Sequence, residues 1–160
     1  MTTDLNGLKM LELKVPPVVL ALIVATGMWG VSALFPTLSF ELPGAVWLSS
    51  CIALLGVLVA ILGVLAFRTA GTTVDPRVPE QSESLVVSGI YRYSRNPMYL
   101  GFLMVLCAWG LWLGNVPALL FLPVFVLYMN RFQIVPEERF MREKFDGAFT
   151  RYCTGVRRWL

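Results

Sequence analysis

The sequence contains no histidine. Without an imidazole there is no Ser-His triad, no histidine general base and no His-ligated metal site, so no metal is expected. Charge is scarce as well: 14% of the 160 residues are charged and 57% are hydrophobic, whereas a soluble domain of this length needs many more charges on its surface. No C-x-x-C spacing occurs, so the three cysteines, Cys51, Cys107 and Cys153, read as packed or reduced thiols. A Gly-x-Gly-x-x-Gly dinucleotide fingerprint is absent too. The basic residues flank apolar runs and form no stripe on a soluble fold, which excludes nucleic-acid binding.

What is present is a set of apolar runs, over residues 15–35, 45–67, 97–114 and 116–135. Each approaches the roughly 20 residues needed to cross a bilayer core. Lys9 and Lys14 precede the first run. That run is too long for the core of a cleaved signal and lacks a small-residue cleavage site, so it reads as a retained helix. Pro16 and Pro17 open it, where a helix tolerates proline. Gly114-Asn115 is a turn signal and Pro117 can start the next helix, so the last two runs form a tight antiparallel hairpin. Pro123 predicts a kink within the fourth run.

The segments 36–44 and 114–115 carry no lysine or arginine. All 13 basic residues fall before the first run, between the second and third, or from the end of the fourth onward. Four crossings put those three segments on one face, and the positive-inside rule makes that face cytoplasmic. The expected fold is therefore an all-α membrane protein forming a single domain. It has four transmembrane helices, a polar cytoplasmic connector over 68–96 and an amphipathic C-terminal helix over 136–160. Both termini are cytoplasmic, and a bacterial inner membrane is the default location. The connector carries turn residues at Gly71, Pro76, Pro79 and Gly89. In the C-terminal segment Glu137 and Glu138 occupy the first turn, favourably placed against the helix dipole. Met141, Phe145, Phe149, Tyr152 and Val156 then recur at helical spacing, with Arg139, Arg142 and Arg151 off that stripe.

Chemistry-bearing residues gather in two stretches. In Gly89–Gly101, Asn96 is a good N-cap and Pro97 a good first helical residue, so the third helix starts there. Its free backbone N–H groups, with Arg95 beside them, suit a carboxylate. An interfacial belt of arginine and tyrosine anchors accounts for the same residues. In Asn130–Glu138, Arg131 and the Glu137-Glu138 pair place both charge signs at one depth, suited to a cationic ligand group or simply to helix capping.

These two stretches, from Ser88-Gly89-Ile90-Tyr91 through Arg95-Asn96-Pro97-Met98-Tyr99-Leu100-Gly101 and from Glu137-Glu138 through Phe140, Phe145 and Tyr152 to Val156-Arg157-Arg158-Trp159, carry a resemblance. Together they resemble the signature of the isoprenylcysteine carboxyl methyltransferase and phospholipid methyltransferase superfamily over residues 68–160. The resemblance implies methyl transfer from S-adenosylmethionine, with S-adenosylhomocysteine as product, and a lipophilic or lipid acceptor drawn from the bilayer. It also implies that Leu85, Val86, Tyr91, Arg95, Asn96, Pro97, Met98 and Tyr99 line the cofactor, and that Glu137 holds its ammonium group. Enzymes of this superfamily that methylate prenylcysteine have histidine at the position of Asn96 and arginine at that of Gln133. Asp146 stands where glycine is usual. The acceptor is thus left open between carboxylate, amine, thiol and hydroxyl, as is the oligomeric state. If a general base is needed, Glu138 or Tyr152 is a candidate, and Arg131 lies near the Gln133 position, where the prenylcysteine enzymes place the arginine that receives the substrate carboxylate. The alternatives are an NADPH-dependent membrane reductase of the sterol-reductase type and a non-catalytic four-helix scaffold.

Overall fold

The computed structural model describes residues 12–71 and 84–160. Among them the secondary structure is helical, apart from an isolated antiparallel bridge between Ser39 and Asn115. Helix α1 spans Pro17–Leu34, α2 spans Ala45–Thr69 and α3 spans Pro97–Leu113. A short α4 (Val116–Leu119) and α5 (Phe121–Tyr128) lead into a π-helical segment, Met129–Ile134, and then into α6 (Val135–Gly155). Three helical stretches are long and apolar enough to cross a membrane: Pro17–Leu34, Ala45–Thr69 and the run Val116–Gly155. Helix α3 is equally apolar but shorter. At about 1.5 Å per residue it reaches about 26 Å, just under a hydrocarbon core of roughly 30 Å.

The expected helix limits hold to within a few residues, except after the fourth apolar run. No helix boundary separates residues 135 and 136. The chain passes from the π-helical segment straight into α6. Pro136 has no N–H to offer the Phe132 carbonyl four residues back, which interrupts the α-helical ladder at this point. Pro123 acts similarly: it has no N–H for the Leu119 carbonyl, and the helix is broken at Leu120, between α4 and α5. The expected C-terminal helix also stops early. It ends at Gly155, with Val156 extended, and it is interrupted at Asp146. Asp146 has φ +35°, a conformation that favours glycine. In the connector, Gly71 and Gly89 do take positive φ, whereas Pro76 and Pro79 lie outside the described residues.

The core joins α1, α3 and the fourth apolar stretch. Leu20, Val24 and Met28 pack with Tyr99 and Leu106 and with Ala118, Phe125, Met129 and Ile134. Trp109 adds an indole N–H bond to the Ala25 carbonyl at 3.0 Å. Such interhelical hydrogen bonds in membranes average about 0.6 kcal/mol, so packing contributes most of the association. Helix α2 stands outside this core and touches α3 through small residues. A Cβ added to Gly101 would sit 2.5 Å from the Gly56 carbonyl oxygen, and one added to Gly56 would sit 2.8 Å from the Gly101 oxygen. Only glycines let these two backbones approach so closely.

At one end of the bundle the α3–α4 turn is locked. Gly114 adopts φ +57°, and its carbonyl accepts the Phe40 N–H at 2.6 Å. The Asn115 side chain caps α4 by accepting the Ala118 N–H at 3.3 Å, and it donates to the Phe35 carbonyl and to Ser39 Oγ. The opposite end, where α2 finishes and α3 and α6 begin, holds nearly all the candidate functional side chains.

Candidate functional site

Helix α3 begins at Pro97 with Asn96 at the N-cap position, as its sequence predicts. The Asn96 side chain makes no cap bond. Instead it donates to the Arg158 carbonyl at 2.9 Å, while its backbone N–H goes to Ser94 Oγ at 3.1 Å. The Arg95 N–H reaches the Arg157 carbonyl at 3.0 Å. Residues after α6 therefore fold back as a strap across the entrance of α3. The Trp159 indole N–H extends the strap to Asn130 Oδ1 on the π-helical segment at 3.1 Å.

Beneath the strap lies a pair of adjacent carboxylates with different surroundings. Arg158 grips Glu138 with two hydrogen bonds, Nε to Oε1 at 3.0 Å and Nη2 to Oε2 at 2.7 Å. Arg95 adds an ion pair to Glu138 Oε1 at 3.1 Å, with its side chain 13% exposed and that of Glu138 10% exposed. The Glu138 hydrogen bonds raise the Arg158 guanidinium above its ordinary pKa, against the opposing effect of its desolvation. Two guanidiniums thus share one carboxylate, which leaves a net positive cluster. Arg95 Nε is buried there without a hydrogen-bond partner. A buried donor of that kind is costly unless a ligand or water satisfies it.

Glu137 is held by neutral groups. The Tyr99 hydroxyl donates to Glu137 Oε1 at 2.5 Å, and Gln133 Nε2 donates to the same oxygen at 2.7 Å. Gln133 Nε2 also lies 3.5 Å from the Tyr99 hydroxyl. Tyr99 projects from the first turn of α3 and Gln133 from the π-helical segment, so two helices converge on one carboxylate oxygen. Tyr91 is buried in the 3-10 turn Gly89–Arg92, edge-on to Phe67 at 5.3 Å. Burial raises the Tyr91 phenol above its ordinary pKa, and Tyr152 and Glu137 nearby raise it further. The Tyr152 hydroxyl donates to the Tyr91 carbonyl at 2.6 Å, which ties α6 to this turn.

Most of the residues singled out in the sequence therefore meet at this end. Tyr99 contacts Glu137, Tyr91 contacts Tyr152, and Arg95 contacts Glu138. Pro97 and Val86 are buried, and Leu85 and Met98 are partly buried. Arg131 has other partners: Glu12 at 2.8 Å and the ring of Phe132 at 5.2 Å. Glu138 and Tyr152 are both engaged in the contacts described above. Gln133, Arg158 and Glu12 gain roles that the sequence reading did not give them. Gln133 stands four residues before Glu137, a helix-neighbour spacing that could have marked it as a partner. No local signal connects Arg158 to Glu138 or Glu12 to Arg131.

Among the described residues, an apolar helix bundle long enough to cross a membrane gathers its polar side chains at one end, around paired carboxylates and arginines, as a membrane protein would. The profile of the phospholipid methyltransferase family matches residues 45–148, and the chain belongs to that family. A protein of undescribed function from Haemophilus influenzae is 49% identical over 63 residues, which cover 39% of this chain and all of that protein. The protein-S-isoprenylcysteine O-methyltransferase of Saccharomyces cerevisiae is 35% identical over 112 residues, covering 64% of this chain and 46% of the yeast protein. The chain thus corresponds to less than half of the yeast enzyme's length. No solved structure matches it.

Proposed function

We propose that this protein is an integral-membrane methyltransferase that uses S-adenosylmethionine to methylate a lipophilic acceptor drawn from the bilayer. The observation that carries this reading is the junction of α3 and α6, where a Glu137 carboxylate held by Tyr99 and Gln133 lies beside an Arg95–Glu138–Arg158 cluster with an unsatisfied guanidinium nitrogen. A zwitterionic amino-acid group needs a carboxylate and a cationic donor close together, and both are present. Family membership and the yeast relative support the same chemistry.

In this proposal Glu137 receives the ammonium group of the cofactor. Arg95 and the first turn of α3, Asn96–Tyr99, receive its carboxylate. Leu85, Val86 and Tyr91 supply apolar and aromatic walls. When bound, the cofactor supplies an electrophilic methyl group on a sulfonium. The protein contributes orientation and a site closed to water, since a direct displacement gains most from proximity and in-line geometry. A carboxylate or thiolate acceptor needs no proton removed, whereas an amine must be neutral and an alcohol needs a base. Glu138 is committed to two arginines and Tyr152 to a carbonyl, so neither is poised as a base without rearrangement. The apolar runs make four crossings, α3 included, with the three basic segments on the cytoplasmic face of a bacterial inner membrane. The kinked α6 rests its apolar stripe along that face.

Calorimetric titration of the detergent-purified protein with S-adenosylhomocysteine, and separately with NADPH, tests the proposal. Saturable binding of S-adenosylhomocysteine alone is expected. Binding of NADPH alone would transfer the site to reductase chemistry, and binding of neither would leave a scaffold.

A further inference from the structure

The segment just before α1 makes contacts that the proposed chemistry does not use. Glu12 forms an ion pair with Arg131 at 2.8 Å and approaches Arg139 at 3.6 Å, with its own side chain 11% exposed. The next residue, Leu13, donates its backbone N–H to the Phe132 carbonyl at 3.0 Å. That carbonyl is the one to which Pro136 can donate nothing. Leu13 makes the bond with φ +59°, a left-handed conformation that a leucine adopts only at a cost. The strain persists because the surrounding contacts hold it.

These contacts fall on a short length of chain with a special geometry. Arg131 and Phe132 lie within the π-helical segment Met129–Ile134, and Arg139 lies one turn into α6. Between them stand Gln133 and Glu137, which meet at 2.7 Å. A π-helical turn is less favourable than an α-helical one and is open to relaxing by a shift of register. Such a shift would rotate Gln133 relative to Glu137 and draw the carboxylate from Tyr99. The contacts of Glu12 and Leu13 bracket this stretch and oppose that rotation.

We propose that Glu12 and Leu13 form an N-terminal clasp that holds the π-helical segment in register, and that Glu12 is thereby a positioning residue for the Glu137 carboxylate. Glu12 touches neither Gln133 nor Glu137 and acts through Arg131, Arg139 and the backbone. The link to ligand binding rests on the cofactor reading of Glu137, whereas the clasp itself is testable without ligand.

The experiment is hydrogen exchange on the ligand-free, detergent-purified protein, followed by titration with S-adenosylhomocysteine. Glu12→Gln should speed exchange at the Asn130–Ile134 and Glu137 amides about threefold to tenfold, a range lowered because Arg131 is partly exposed. The amides of α3 beyond Tyr99 should be unchanged. Leu13→Pro, which lacks the N–H and cannot reach positive φ, should do the same. Leu13→Gly keeps both and should preserve protection. Affinity for S-adenosylhomocysteine should fall about threefold to tenfold in Glu12→Gln, with part regained in Glu12→Asp. Unchanged exchange in Glu12→Gln, or an equal rise throughout the bundle, would overturn the clasp. Faster local exchange with unchanged affinity would overturn the positioning role. If the unsubstituted protein binds no S-adenosylhomocysteine, the cofactor reading fails, and exchange at the Glu137 amide still decides whether the clasp holds that residue.

Discussion

Two buried side-chain amides mark the opposite ends of this bundle. Asn115 is 0% exposed and Gln133 is 2% exposed. Asn115 donates to the Phe35 carbonyl and the Ser39 hydroxyl and accepts from the Ala118 N–H, all neutral partners. Gln133 gives its bonds to an ionisable carboxylate and a phenol from another helix. The first amide closes a hairpin. The second conditions a charge. Keeping a carboxylate at a partly buried junction costs stability that a closed loop of neutral groups does not.

The contrast can be broken at either end, and the largest effect is expected at Glu137. Glu137→Gln keeps shape and removes charge, so affinity for S-adenosylhomocysteine should fall roughly 10- to 100-fold, the value of a hydrogen bond to a charged group. Calorimetry on the folded variant checks this, and unchanged affinity would remove Glu137 from the site. Asn115→Leu strands several polar partners at the other end and should destabilise the protein by about 1–3 kcal/mol while leaving ligand affinity in place. Thermal unfolding in detergent, paired with titration, separates the two quantities. A loss of affinity there would show that the two ends are coupled.

A smaller effect is expected from Gln133→Met. Tyr99 still holds Glu137, so affinity should weaken severalfold, in line with roughly 1 kcal/mol for one hydrogen bond. An increase in affinity would mean that Gln133 restrains the carboxylate from its ligand. The smallest change belongs to Trp159→Phe, which deletes one indole N–H from the strap. Its cost should be at or below about 1 kcal/mol, read as a modest fall in unfolding temperature. A large loss would make the strap a principal support of the site.

Much of this was legible along the chain. The apolar runs gave α1, α2 and α3 nearly to the residue, because a lipid-facing helix needs continuous hydrophobicity whatever its neighbours are. Glycine and proline marked the α3–α4 turn, where a positive φ and a missing N–H are local matters. The fourth run was harder. A separate C-terminal helix was expected over 136–160, yet the chain passes through a π-helical turn without a break, and the Phe132 carbonyl accepts the Leu13 N–H instead. The interruption at Asp146 was unreadable as a break, because aspartate lacks the conformational licence that glycine would have announced.

By itself the sequence determined a helical membrane chain, the segregation of its basic residues and the two stretches where polar chemistry gathers. These follow from composition and periodicity, which act over a few residues at a time. Only the tertiary structure decided which carboxylate is bound by arginines and which is held by Tyr99 and Gln133. It also decided that Arg131 serves Glu12 and that the strap returns to Asn96. Apart from Gln133 and Glu137, those pairings join residues that are not helix neighbours, and each ionic group was free to choose among several partners of opposite sign until packing brought one within reach. The missing histidine kept its meaning throughout: charge handling at this site falls to glutamate, arginine and tyrosine.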